Sequence, residues 1–138
     1  NTRIPLTGIR KLCMRLVAVI DDDPVEMTIL SGLAEHVPGS FQFDHYNSVN
    51  AFCEDPKASK YDLVFLDRRV PPHSDYGESL PVLDECGFDG TVVMLTARRL
   101  GPGKPKSRLR LLGPYEKLDI QDPEVMEYLL NGRPAPGL

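Results

Sequence analysis

Three short apolar runs, "LVAVI" (16–20), "LVFL" (63–66) and "VVML" (92–95), limit what this chain can fold into more than any other feature. None alternates polar with apolar residues, and none is long enough to be a free-standing helix. Each therefore predicts a strand buried on both faces, the kind found in parallel sheets covered by helices. The segments between them fit that arrangement. After the first strand, expected over 14–20, Pro24 suits the opening of a helix with Asp23 as its cap. Met27, Leu30, Ala34 and Val37 then recur at helical spacing until "PGS" stops it.

"FQFDHY" alternates, as a more exposed strand should, and "VNAFCED" reads as a short helix. "RRVPPHSDYG" reads as a loop and "PVLDECG" as a short helix with Pro81 in its first turn and Gly87 near its end. "GPGKPK" is a poor helix former, "RLLGPYEK" a plausible last strand, and "DPEVMEYLL" a last helix with an Asp-Pro start. Strands alternating with helices predict an α/β, doubly wound parallel sheet. The expected organisation is an arm over 1–13, one domain over 14–130 and a tail over 131–138.

At 138 residues and 41% hydrophobic content, the chain suits one domain with a core of its own. A net charge of −4 gives no electrostatic case for nucleic acid, and no stretch is apolar enough to span a membrane. Cys13, Cys53 and Cys86 lack metal-ligand spacing and are expected to be reduced thiols in a cytoplasmic protein. His36, His45 and His73 are scattered and read as surface or half-buried residues. The first residue is Asn1, so the natural start is expected to be missing or replaced.

The residues that end the apolar runs carry the chemistry. Asp21 and Asp22 follow the first, Asp67 the third strand, Thr96 the fourth and Lys117 the fifth. Parallel strands would bring all five to one sheet edge, where open sheets of this type bind ligands. One aspartate before a proline is a helix cap worth about 1 kcal/mol, which explains only Asp23. Two carboxylates ~4 Å apart repel by about 4 kcal/mol at an effective dielectric of ~20. The cluster needs Lys117, a bound divalent ion, or a proton on one acid. An all-oxygen donor set selects a hard ion, and few carboxylates with retained waters suit Mg2+. The same parts suit phosphoryl transfer: Asp67 as nucleophile, with Lys117 and the Thr96 hydroxyl binding the phosphoryl oxygens.

"VIDDDP", "YDLVFLD..VP", "VVMLTA" and "YEK", in that order and spacing, resemble the signatures of the response-regulator receiver domain of two-component signalling, over roughly residues 16–130. The resemblance implies a flavodoxin-like five-stranded sheet of order 2-1-3-4-5. It implies that Asp21 and Asp22 hold Mg2+, that Asp67 is the phosphoacceptor and third ligand, and that the Arg69 backbone carbonyl completes the protein's share of the metal shell. It makes Thr96 the switch hydroxyl, followed by small Ala97, Lys117 the lysine of the last strand, and Pro71 the loop proline.

The sequence departs from that pattern in four places. Gly77 falls late, so the loop after Asp67 is expected to be long. Arg69 and Arg98 sit two residues past Asp67 and Thr96, where the family's residues modulate loss of the phosphoryl group. They are expected either to pair with phosphate and lengthen its lifetime or to be solvated. The place of the aromatic switch residue falls to Pro114, with Tyr115 expected on the opposite face, and Leu118 replaces the usual proline after the lysine. Finally, residues 98–110 are basic and rich in Pro and Gly. The fourth helix, between the last two strands, is thus expected to be eroded or replaced by a loop that is mobile or meets a partner protein.

The leading expectation is a stand-alone phosphoacceptor, not a turnover enzyme, that takes its phosphoryl group from a sensor histidine kinase or histidine phosphotransfer protein. It would signal by protein contact or act as a phosphate sink, with no nucleic acid or membrane partner and a homodimer left open. "NGRPAPGL" could instead begin a linker in a longer protein. The alternatives are a pseudo-receiver that only binds partners and an aspartate-nucleophile phosphohydrolase. The latter usually needs a second acid where Arg69 stands. A flavodoxin-like cofactor binder is disfavoured by the acidic first turn, which would repel a phosphate.

Overall fold

The computed structural model describes residues 14–98 and 105–137. The expected arm over 1–13, Cys13 and the centre of the basic stretch lie outside the described residues. The elements are β1 (Arg15–Ile20), α1 (Val25–Ala34), β2 (Phe41–Tyr46), α2 (Val49–Glu54), a 3-10 turn (Pro56–Lys60), β3 (Leu63–Asp67), α3 (Tyr76–Glu85), β4 (Thr91–Thr96), β5 (Arg110–Glu116) and α4 (Pro123–Leu130). All five strands are parallel, in the order β2-β1-β3-β4-β5.

The central strands are continuous apolar runs because both faces of the sheet are covered. Val17, Val19, Leu63, Phe65, Val93 and Leu95 pack with Leu30 of α1 and Met126, Leu129 and Leu130 of α4. The alternate residues, Ala18, Ile20, Val64, Leu66, Val92 and Met94, pack with Phe52 of α2 and with Leu80 and Leu83 of α3. Each large apolar side chain buried this way contributes roughly 1.5–3 kcal/mol. A one-residue slip would exchange the two sets.

Local signals set the helix ends. Pro24 already has helical angles (φ −64°, ψ −16°), and the Asp23 carboxylate accepts the Val25 N–H at 3.0 Å. Regular α1 stops at Ala34, and the expected periodicity to Val37 continues as three tighter i→i+3 turns. Helix α3 differs from expectation. It starts at Tyr76, not Pro81, and holds Gly77 and Pro81 inside it. The Asp75 carboxylate accepts the Tyr76 N–H at 2.7 Å, and burial of Tyr76, Leu80 and Leu83 outweighs the hydrogen bond that Pro81 removes. The loop after Asp67 is therefore 68–75, and Gly77 is a helical residue. The 3-10 turn, which the sequence reading leaves unassigned, is capped by Asp55, whose carboxylate accepts the Lys57 N–H at 2.8 Å.

Among the described residues no helix lies between β4 and β5. The described end of that connection is anchored. Arg108 donates to the carbonyls of Asp84 (2.7 Å), Cys86 (3.2 Å) and Phe88 (2.7 Å), closing the C-terminal end of α3. Strand β5 is a sheet edge, which tolerates Pro114, and its register with β4 shifts between Val93 and Leu95. Among the described residues no helix is long and apolar enough to cross a membrane.

Candidate functional site

Parallel strands place the ends of β1, β3 and β4, and the residue after β5, along one edge. Asp21 follows β1 and is 2% exposed. One of its oxygens accepts the Asp23 N–H at 2.9 Å, and the other meets Lys117 Nζ at 3.1 Å. Lys117 also lies 3.1 Å from Asp67 Oδ1. Asp22 is exposed beside them, and oxygens of Asp21, Asp22 and Asp67 lie within 4.8 Å of one another.

Electrostatics follows from that crowding. Burial first, and then the Asp21 charge, push the Asp67 carboxyl above its ordinary range, against the pull of Lys117. Burial alone would lower the Lys117 ammonium. The Asp67 and Asp21 carboxylates more than reverse this and hold it firmly protonated. The donor set fits a hard cation. An octahedral ion with bonds of about 2.1 Å places its oxygens about 3–4 Å apart, close to the span observed. Asp21, Asp22 and Asp67 would hold it.

Glu26 belongs to this cluster and was not singled out in the sequence. Its Oε1 lies 3.4 Å from Lys117 Nζ, and its side chain is 12% exposed. An acid in the first turn of a helix ordinarily reads as a partner of the helix dipole, which hid it. The signal available was its position in the helix that leaves a carboxylate-ended strand.

The other candidates are placed differently. Thr96 is buried, and its hydroxyl donates to the Arg98 carbonyl at 2.8 Å. It is tied to Lys117 through the backbone, the Lys117 N–H donating to the Thr96 carbonyl at 2.9 Å. Arg69 and Arg98 are exposed. Among the described residues, no hydrogen bond or ion pair joins the side chains of Thr96, Arg69 or Arg98 to the acids. Arg68 is the engaged neighbour: its Nε lies 3.3 Å from Asp75 Oδ1, and this hydrogen bond holds the Asp75 carboxyl below the usual range. His45 Nε2 donates to the Asp21 carbonyl at 2.7 Å, so this histidine supports the site's backbone.

Two tyrosines flank the strand ends. Tyr115 is buried on the α1/α4 face, and its hydroxyl accepts the Ala135 N–H at 3.2 Å. It lies on the face expected from the sequence. Tyr76 is buried on the other face and donates to the Leu95 carbonyl, directly opposite Asp67 in the sheet register. Burial, then the Asp67 charge, raise its hydroxyl well above the ordinary range.

A scan against protein-family models finds no match, and a search of curated proteins finds none. Solved structures do match. One is the N-terminal domain of a response regulator/sensory box/GGDEF 3-domain protein from Carboxydothermus hydrogenoformans, at 16% identity and TM-score 0.60, over 86% of this chain and 98% of that one. A response regulator receiver protein from Burkholderia phymatum matches at 22% identity and TM-score 0.53, over 88% and 98%. One from Pseudoalteromonas atlantica matches at 13% identity and TM-score 0.51, over 63% and 70%. With its five parallel strands in the order 2-1-3-4-5, this chain has the fold of the response-regulator receiver domain.

Proposed function

We propose that this chain is a phosphoacceptor receiver working in the cytoplasm, with residues 14–130 as the receiver unit. Asp67 takes a phosphoryl group from a phosphohistidine of a sensor kinase or phosphotransfer protein. The N–P bond of the donor breaks as the Asp67 O–P bond forms. Asp21, Asp22, Asp67 and the Arg69 carbonyl would hold Mg2+, which, when bound, offsets charge on the phosphoryl oxygens. Lys117 binds a further phosphoryl oxygen. Thr96 leaves the Arg98 carbonyl to bind another, and its backbone tie to Lys117 links the two movements.

The observation that carries this reading is the 3.1 Å contact of Lys117 with Asp67 beside the acid cluster. Val25 is 57% exposed and Leu118 80% exposed, next to Glu26 and Lys117, and they give a protein donor an apolar rim to dock on. The test is intact mass after incubation with acetyl phosphate and Mg2+. One added phosphoryl group that is absent in Asp67→Asn supports the reading, and an unmodified wild type overturns it.

A pseudo-receiver is the second reading. It is favoured by Tyr115, which is tied to Ala135 away from Thr96, leaving the usual aromatic partner missing. A folded protein whose Asp67 takes no phosphoryl group from acetyl phosphate in the presence of Mg2+ would favour it.

A further inference from the structure

Lys117 has three carboxylate neighbours where phosphoryl transfer needs only two. Asp21 and Asp67 lie 3.1 Å from its ammonium, and Glu26 reaches it at 3.4 Å from α1. A glutamate serving only the helix dipole would stay in water, because that interaction is small when exposed. This one is 12% exposed at the edge of a cluster that already holds Asp21, Asp22 and Asp67. Four carboxylates against one ammonium leave three negative charges in the pocket. Crowding a fourth acid there is tolerable only because Lys117 faces it.

We propose that Glu26 is a positioning residue that parks the Lys117 ammonium on the α1 side of the site and adds a fourth negative charge to the field of the metal pocket. Two consequences of opposite sign follow, and this inference rests on the receiver reading of Asp67. Before phosphorylation, Glu26 strengthens the attraction for a divalent cation without being one of its ligands. During phosphorylation, Lys117 must leave Glu26 to meet the incoming phosphoryl oxygen, so Glu26 slows the step. With acetyl phosphate as donor, the bond between phosphorus and the acetate oxygen breaks, the Asp67 O–P bond forms and acetate leaves. Glu26 touches no reacting atom and acts through Lys117.

The experiment compares wild type with Glu26→Gln and Glu26→Asp. Mg2+ affinity is measured by calorimetry, the phosphorylation rate at saturating Mg2+ by intact mass, and the Lys117 ammonium by 15N NMR. Loss of one charge near a divalent ion weakens its binding roughly three- to tenfold in Glu26→Gln. The rate at saturating Mg2+ rises in the same variant by about the same factor, since a freed ammonium and one fewer negative charge act together. Glu26→Asp stays nearer to wild type in both. Structural damage would lower both quantities, so unchanged values, or a joint fall, would overturn the proposal. If the wild type takes no phosphoryl group, the receiver reading fails and the other two measurements still decide. Faster proton exchange at the Lys117 ammonium with weaker Mg2+ binding in Glu26→Gln upholds the role of Glu26, and no change in either removes it.

Discussion

Asp67 is held in a place that penalises its charge. Because its carboxyl is raised by burial and by Asp21, the folded chain keeps a proton on it more readily than the unfolded chain does. Its contribution to stability therefore falls as pH rises upward from the ordinary value of 3.8. Asp67→Asn is expected to raise Tm at neutral pH without Mg2+, and to give no gain below the ordinary carboxylate range. Thermal unfolding at the two pH values checks this. Lys117 has the same sign, in a far more alkaline range. Its raised folded value means that its stabilisation is complete below its ordinary pKa and is lost only as pH climbs through the higher one. Lys117→Met leaves the acids without their cation and is expected to cost about 1–3 kcal/mol in denaturant unfolding, less than for a fully buried pair. Arg69 and Arg98 are exposed in the resting protein, and their proposed role begins only when a phosphoryl group is present. Faster loss of phosphate in Arg69→Ala and Arg98→Ala is the expected outcome, and unchanged decay in both removes that role.

At the scale of elements, α3 and β5 set the limits of sequence reading. Pro81 invites a helix start because proline suits a first turn, yet Asp75, by capping Tyr76, starts α3 five residues earlier. Asp75→Ala removes that cap and the Arg68 pair, and a loss of about 1–2 kcal/mol in denaturant unfolding is expected. The three central strands were legible because burial on both faces leaves no polar residue in their interiors, and β2 because it alternates. The sheet edge was legible because a parallel sheet turns strand ends into neighbours. Glu26 was not, since its role depends on how α1 leans over the strand ends, which no periodicity encodes. Tyr115 shares the α1/α4 face with Leu112, three residues before it, because the register shift interrupts the alternation of β5, and its tie to Ala135 was not legible, because it bridges 20 residues. Gly113 shows what the register shift requires: φ is +95°, and a Cβ there would come 2.8 Å from the Met94 carbonyl. Gly113→Ala is expected to cost roughly 1–3 kcal/mol by the same measurement.

At the scale of the whole molecule, β1, β3 and the turn after β5 each supply a charged group that would be unfavourable alone. Under the proposed function, their convergence would couple cation binding to folding. Mg2+ at about a hundred times its Kd should stabilise the wild type by about 2.7 kcal/mol, and Asp67→Asn by less. The likeness in fold to solved receivers at 13–22% identity is possible because a fold depends on pattern and burial more than on particular apolar residues. The most direct test locates the phosphoryl group itself. After incubation with acetyl phosphate, borohydride reduces an aspartyl phosphate to homoserine, and peptide mass spectrometry reads the position. Homoserine at position 67, dependent on Mg2+, is the result expected. Homoserine at another aspartate, or at none, would contradict the assignment of Asp67 as the acceptor.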